Sequence, residues 1–308
     1  MTEITKEIFE KHQVRKSKKQ KSAFIDFAVA KSSELGYTTS IENGYLGAKN
    51  IVVGDVNSAK VVYTAHYDTC AVLPFPNFIT PKNIGIYLLY QLLLTLGFCA
   101  VAFGIGFGLG FLGGLVNIPS EVTFWCAYAI NFVLICSVFA GPANKNTAND
   151  NTSGVTTLFS IMERLSAEQR DKVAFVFFDL EEAGLFGSMG FAKKHNRVMK
   201  NTPIINFDCV SDGSDILFAL KKGAAPLKEA FENAFPESDD FKVHVLTKGV
   251  FYPSDQANFH KGVGVAALKK SKGGILYMNR IHTVRDTVYE EENIEFLADG
   301  ASRLIDII

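Results

Sequence analysis

The sequence has few cysteines and no spacing that would pair them. Its 5 cysteines are an odd number and include no Cys-x-x-Cys motif, so neither a disulfide framework nor a thiolate zinc site is predicted. A dominant charge of one sign is also lacking, because the formal net charge is -1 over 308 residues. No overall field therefore favours a polyanion, and we expect no nucleic-acid partner.

The N-terminal region lacks the features of a secretory signal. Residues 1–21 carry charges of both signs and no apolar core, so we expect no signal peptide there. The short basic run at residues 15–21 is typical of a solvated helix face. Because the cysteines lie mostly in apolar stretches, reduced thiols and a cytosolic compartment are predicted. The oligomeric state stays open.

Charged residues are absent from two long segments, residues 84–116 and 122–140. Each segment is long enough to cross the hydrocarbon core of a bilayer, which takes about 20 helical residues. Gly106, Gly110 and Gly114 have the spacing that lets membrane helices approach closely. We predict that residues 84–140 form an inserted transmembrane helical hairpin. A soluble lid or a dimerisation hairpin is the alternative.

A hairpin returns the chain to the side of the membrane that it left. Lys82 and Lys145 flank this hairpin, whereas its distal turn carries only Glu121. Positive residues favour the cytoplasmic side. We therefore expect residues 1–83 and 141–308 to form one membrane-associated domain that faces the cytoplasm.

Outside the hairpin, apolar runs of strand length alternate with helical patterns. This alternation predicts an α/β domain. Residues 5–36 have a helical pattern, and residues 38–53 are typical of a strand hairpin that turns near Asn43-Gly44. Asp212 and Asp215 are assigned to a loop. Buried strands are predicted at residues 60–65, 173–178 and 204–207.

Polar side chains that could bind a metal follow each of these three buried strands. They are His66 and Asp68, then Glu181 and Glu182, then Asp208. Asp150 stands just before a predicted helix, and His282 lies in a loop after a strand. The carboxyl ends of strands in an open α/β sheet are where ligand sites form.

The residue types fit one kind of chemistry. Zinc accepts imidazole nitrogen and carboxylate oxygen. A two-zinc hydrolytic site needs two histidines, three carboxylate ligands and one free carboxylate that moves the proton of the attacking water. The sequence supplies this set, although each member alone has a structural explanation. Asp150 could be a helix N-cap, and a Glu-Glu pair is usually a solvated surface.

Six segments, taken in order, resemble a known family. They are residues 64–68, 148–154, 181–188, 206–208, 254–255 and 282–287. They are similar to the two-zinc aminopeptidase family, the group of zinc exopeptidases that includes bacterial leucyl aminopeptidase, aminopeptidase S and glutamate carboxypeptidase. The resemblance covers the chain outside the apolar insertion. It implies a mixed eight-stranded sheet flanked by helices, and a cis peptide bond between Asp150 and Asn151.

The resemblance also implies which residues hold the metal ions. His66 and Asp208 would bind one zinc ion. Glu182 and His282 would bind the other, and Asp150 would bridge both. Two zinc ions are the implied cofactors, with manganese or cobalt as substitutes that the same ligands accept.

Further roles follow from the same resemblance. Glu181 would be the general base and acid, and Asp68 would orient His66. Tyr252 would donate a hydrogen bond to the developing oxyanion, and Asp255 would support the site. Gln256 stands where the family often has histidine, which affects the substrate pocket rather than the metal ligands.

The implied function is metal-dependent hydrolysis of peptide bonds, with removal of N-terminal residues from a peptide substrate. Carboxypeptidase or dipeptidase action stays open. One alternative is a one-zinc acyltransferase similar to glutaminyl cyclase. The presence of His66 argues against it, because a one-zinc site does not need His66 as a ligand. Another is an inert membrane scaffold on a peptidase fold, against which the intact Glu181 argues.

Overall fold

A computed structural model describes all 308 residues of the chain. The nine β-strands are β1 (Thr39–Asn43), β2 (Lys49–Val53), β3 (Val61–His66), β4 (Val173–Phe178), β5 (Ile204–Phe207), β6 (Asp215–Leu220), β7 (Lys242–Leu246), β8 (Gly262–Lys270) and β9 (Leu276–Tyr277). The ten α-helices are α1 (Glu3–Lys11), α2 (Lys18–Glu34), α3 (Ile84–Leu115), α4 (Ser120–Ala140), α5 (Gly154–Arg164), α6 (Ala167–Arg170), α7 (Phe186–Lys194), α8 (Asn196–Met199), α9 (Lys228–Ala234) and α10 (Glu291–Ile307).

The strands form one mixed sheet in the order β1-β2-β4-β3-β5-β8-β6-β7, with β9 added beside β8. The central strands β4, β3, β5 and β8 run parallel to one another. Every residue of β3, β4 and β5 is buried, as expected of parallel strands covered on both faces. The predicted fold class, a mixed central sheet flanked by helices, is confirmed.

Helices cover both faces of the sheet because neighbouring strand residues point to opposite sides. On one face, Phe177 of β4 packs against Phe159 of α5, with ring centroids 5.2 Å apart. On the other face, Phe178 packs against Phe191 of α7 at 5.6 Å. The main core on the α5 face also includes α10. The sheet is therefore fixed between two apolar layers.

Two predictions about individual elements are wrong. The helix predicted at residues 5–36 is in fact two helices, α1 and α2, with a non-helical segment between them. Ser17 begins α2 and forms a capping box with Gln20. Strand β6 was not predicted. Asp215, assigned to a loop, begins this strand, and its Oδ1 lies 2.7 Å from Nε2 of His244 on β7.

The apolar insertion forms two long helices, α3 and α4, that pack against each other. They are 32 and 21 residues long, and both are long and apolar enough to cross a membrane. Away from the base of the hairpin, the rest of the protein leaves their surface uncovered: Phe103 is 77% exposed and Trp125 is 63% exposed. Such a large exposed apolar surface marks a site of contact with a membrane or a protein.

Asn151 connects three elements on the carboxyl side of the sheet. Its side-chain nitrogen donates to the carbonyl of Phe207 at the end of β5, at 3.0 Å. Its side-chain oxygen accepts from the backbone N–H of Gly154 at 3.0 Å and of Cys209 at 3.3 Å. All of these groups are buried. The amide therefore fixes the start of α5, and with it Asp150, against the end of β5.

We expect Asn151→Asp to destabilise the fold. A carboxylate cannot donate to the Phe207 carbonyl, and a new charge would be buried among acidic neighbours. The expected loss in the free energy of unfolding is about 2–4 kcal/mol, measured by urea denaturation in the presence of chelator. The control is Asn201→Asp, a change at an exposed position. A loss below about 0.5 kcal/mol at Asn151, the usual range for surface changes, would contradict this account.

Candidate metal centre

Three neighbouring strands bring their polar ends together. His66 is the last residue of β3, which lies between β4 and β5 in the sheet. The turn after β4 carries Glu181 and Glu182, and Asp208 directly follows β5. Because these strands are parallel, their carboxyl ends meet at the same edge. The arrangement brings residues far apart in sequence into one cluster, as the sequence analysis expects.

The first group of possible ligands surrounds His66, whose side chain is 1% exposed. Its Nε2 atom lies 3.3 Å from Oδ1 of Asp150 and 3.5 Å from Oδ1 of Asp208. These three side chains form a buried trio that could hold a metal ion.

The second group surrounds His282. Its Nε2 atom lies 3.0 Å from Oδ2 of Asp150 and 3.3 Å from Oε2 of Glu182. The thiol of Cys70 belongs to this group, with all ligand atoms within 4.8 Å of one another. Cys70 was not predicted as a ligand, although its position four residues after His66 is a signal that could have indicated it.

Asp150 faces both groups, with a different carboxylate oxygen toward each histidine. The backbone N–H groups of Asn149 and Asp150 donate to the two oxygens of Asp286, at 2.8 and 3.0 Å. Asp286 therefore holds this segment in place from behind. The peptide bond between Asp150 and Asn151 is cis, which confirms the expectation from the family resemblance.

Left-handed backbone is concentrated at the cluster. Leu180, Cys209 and His282 have φ values of 56°, 58° and 62°. The first two directly adjoin Glu181 and Asp208. Non-glycine residues adopt this conformation at a cost, and such residues cluster at functional sites where the surrounding structure enforces them. The conformations here are consistent with a site whose side chains must point in particular directions.

The donor set fits zinc. Four ligands at the usual zinc distances of about 2.0–2.2 Å stand roughly 3.4 Å from one another in a tetrahedron. The nitrogen–oxygen distances within the two groups are 3.0–3.5 Å. In addition, Oε1 of Glu182 is buried without a hydrogen-bond partner. An unpaired buried carboxylate oxygen is costly unless a cation or a donor meets it.

The electrostatics of this cluster of side chains also favour a bound cation. Burial, together with the nearby charge of Asp150, raises the pKa of Glu182 to about 8. Burial, with Glu182 and Asp208 close by, raises the pKa of Glu181 well above its usual range. Burial alone would lower the pKa of His282, but Glu182 and Asp150 outweigh it and raise that pKa to about 9. Negative charge on Glu181 and Glu182 is thus disfavoured unless a cation lies beside them, as divalent ions do in metal sites.

Asp68 connects the end of β3 with the Glu181-Glu182 turn. Its carboxylate accepts the backbone N–H groups of Glu181 and Glu182, at 3.1 and 3.2 Å. The closest partner of Nδ1 of His66 is the backbone carbonyl of Asp68, at 3.1 Å, whereas its carboxylate Oδ1 lies 3.6 Å away. The segment thus positions His66 mainly through its backbone.

Tyr252 lines the cavity at the cluster, but its hydroxyl donates to the backbone carbonyl of Asp208 at 2.9 Å. A phenol has one proton to donate, so this group must leave Asp208 before it can reach an oxyanion. Gln256 donates to the Tyr252 carbonyl at 2.7 Å and accepts from Asn206 of β5 at 3.2 Å. Asp255 is fully buried, and burial raises its pKa to about 7.

The prediction that residues 15–21 form a solvated helix face is wrong for Arg15, which is fully buried. Its Nε donates to the carbonyl of Tyr67 at 2.5 Å, and one terminal nitrogen donates to the hydroxyl of Thr152 at 3.2 Å. The guanidinium thus joins the segment of His66 to the segment of Asp150. Only these long-range contacts distinguish Arg15 from Lys18 and Lys19 of the same run, which are exposed.

Several comparisons show which known proteins this chain is similar to. The sequence profile of peptidase family M28 matches residues 134–300. A Zn-dependent exopeptidase from Parabacteroides distasonis has 16% identity and a TM-score of 0.60, with 98% of this chain and 94% of that chain covered. A glutaminyl cyclase from Bacteroides thetaiotaomicron has 15% identity, the same TM-score and the same coverage. The LapA aminopeptidase of Legionella pneumophila has 10% identity and a TM-score of 0.56, with 98% and 69% covered.

At these identities the structural likeness concerns the fold alone, and no curated protein matches the chain. The profile match is independent of that likeness. It includes Asp150, Glu181, Glu182, Asp208 and His282, and it begins after His66. Because it spans more than half of the sequence, the chain belongs to peptidase family M28.

Proposed function

We propose that this chain, a zinc-dependent metallopeptidase by family, is an aminopeptidase that uses two metal ions. The observation that carries the proposal is the position of Asp150 between two histidines. One of its carboxylate oxygens lies 3.3 Å from Nε2 of His66, and the other lies 3.0 Å from Nε2 of His282. A carboxylate in this position can bridge two ions. His66 and Asp208 would complete one ligand set, and Glu182 and His282 the other.

When bound, the zinc ions would polarise the scissile carbonyl and lower the pKa of the attacking water. Glu181 would accept a proton from that water and deliver it to the amine that leaves. Asp68 would hold Glu181 for this task through its hydrogen bond to the Glu181 backbone N–H. Tyr252 would stabilise the oxyanion after its hydroxyl turns away from Asp208.

A second candidate is a one-zinc acyltransferase, since a glutaminyl cyclase is among the structures that share the fold. The first ligand group argues for the two-metal peptidase. His66 is buried between two carboxylates, where a second ion has three possible ligands. An inert scaffold would have no use for Glu181, which lies within 4.8 Å of His66 and Glu182.

The proposed location is a membrane surface. Helices α3 and α4 would cross the bilayer as a hairpin, with the peptidase domain on the cytoplasmic side. The support is their length, their mean hydropathy of 2.2 and 2.0, and the near absence of buried residues from them. Lys82 and Lys145 flank the hairpin, which agrees with a cytoplasmic domain.

Glu181→Gln should abolish turnover without removing metal. The amide cannot accept a proton, so kcat on a short peptide should fall by about 10²–10⁴-fold, while zinc content measured by elemental analysis stays at the wild-type value. The adjacent Glu182→Gln is the matched comparison, and it should lose zinc as well as activity. Near-normal kcat in Glu181→Gln would show that another group is the base.

Zinc stoichiometry should distinguish the two enzyme classes. The wild-type chain should hold two ions after zinc loading and removal of excess, because both ligand groups are complete. His282→Ala should hold fewer, and His260→Ala, a change of an exposed histidine, should match the wild type. One ion in the wild type, with acyltransferase activity, would favour the alternative.

The intact protein should remain in the membrane fraction after a carbonate wash, since peripheral contacts do not survive that treatment whereas membrane-spanning helices do. Fractionation followed by immunoblotting measures this. Fully soluble, monomeric protein without detergent would contradict the transmembrane hairpin and favour a soluble lid.

A further inference from the structure

The base of the hairpin forms part of the candidate active site. Tyr87 of α3 and Phe139 of α4 line the same cavity of about 520 Å³ as His66, Glu181 and His282. Phe139 keeps 64% of its surface exposed. The segment proposed to enter the membrane therefore supplies one wall of the cleft in which a substrate would bind.

A second cavity of about 390 Å³ lies between the two helices and residues 72–75. Its lining is almost entirely apolar and includes Leu73, Leu94, Phe98, Leu134 and Val138. No candidate metal ligand contributes to it. Such a lining suits aliphatic or aromatic groups, because their burial is favourable by roughly 25 cal/mol per Å².

A smaller space of about 160 Å³ lies beside both cavities. It shares Leu73 and Val138 with the apolar cavity, and it shares Phe139, Glu182 and His282 with the active-site cavity. The three spaces follow one another along the last turns of α4. The apolar cavity is therefore separated from the candidate metal centre by one small space, which adjoins both.

The walls of this path are fixed to the active-site loops. The backbone N–H of Leu73 donates to the carbonyl of His282 at 2.7 Å. Phe75 packs against Phe98 of α3, with ring centroids 5.6 Å apart. On the other side, Nζ of Lys16 donates to the carbonyl of Phe139 at 2.6 Å. The apolar cavity is thus held in a defined position relative to His282.

With α4 crossing the bilayer as proposed, these three spaces would lie at the membrane boundary. Its 21 residues span about 32 Å, which is close to the thickness of the hydrocarbon core. If all of them cross it, Val138 and Phe139 would stand at the near edge and Leu134 about one turn inside. The apolar cavity would open at the level where acyl chains begin.

We propose that the apolar cavity binds the hydrophobic part of the substrate, and that the natural substrates are hydrophobic peptides that partition into the bilayer and present one end at its surface. This inference rests on the proposed peptidase function. A lipid acyl chain would also suit the lining, but it has no amide bond to present to the candidate metal centre. A hydrophobic peptide has both an apolar segment for the apolar cavity and an amide bond for the neighbouring metal centre.

The test uses the zinc-loaded full chain in lipid nanodiscs and two peptides with the same first four residues, one of them followed by eight leucines. Gly97→Phe fills the apolar cavity, since a Cβ at Gly97 meets no atom within 4 Å. It should lower the ratio of kcat/KM for the long peptide to that for the short peptide by about tenfold or more. Ser137→Phe fills the cavity from α4 and should do the same.

The matched control is Gly104→Phe, two turns further along the same face of α3 and equally free of close neighbours. It should leave both kcat/KM values at the wild-type level. Equal effects of Gly97→Phe and Gly104→Phe, or no preference of the wild type for the long peptide, would overturn the proposal.

A binding measurement separates this inference from the proposed function. The long peptide with photoreactive leucines should crosslink to residues 134–138, and Gly97→Phe should abolish the crosslink. This crosslink without hydrolysis of either peptide would refute the peptidase function and leave the cavity assignment supported. Hydrolysis of the short peptide without the crosslink would refute the cavity assignment alone. A crosslink that Gly97→Phe does not change would indicate insertion among lipids and overturn the proposal.

Discussion

The structure depends on an excess of buried carboxylates at one edge of its sheet. Asp150, Glu181, Glu182 and Asp208 surround two imidazoles, and unpaired charge in a protein interior is costly. Other side chains hold the carboxylates together: Asp68 and Asp286 accept the backbone N–H groups of this region. Bound cations would remove the repulsion between the carboxylates. Metal binding and the stability of this edge of the sheet are therefore coupled.

The sequence predicted this part of the structure because its signals are local. Continuous apolar runs define β4 and β5, and each run ends directly before its polar residues. His66 could be placed for the same reason. That Asp150 and His282 lie close together could be predicted only from the family resemblance of the ordered motifs. Neither residue adjoins a predicted buried strand.

Long-range contacts account for what the sequence did not predict. Arg15 looks like its basic neighbours until Tyr67 and Thr152 are seen around its guanidinium. Asp215 was predicted to lie in a loop, because its contact with His244 forms only when β6 and β7 associate. The hydrogen bond from Tyr252 to Asp208 likewise joins segments 44 residues apart. The spacing of apolar and polar residues along the chain does not predict such contacts.

Cys70 makes the two ligand groups chemically unequal. It lies near Glu182 and His282 and does not belong to the group around His66. Thiolate sulfur is a soft donor that zinc accepts readily and manganese does not, whereas carboxylates and imidazole accept a wider range of metals. Burial raises the pKa of the Cys70 thiol, so a metal that binds it must displace a tightly held proton. An ion held with the help of Cys70 would therefore be zinc rather than manganese, whereas the group around His66 has only donors that both metals accept.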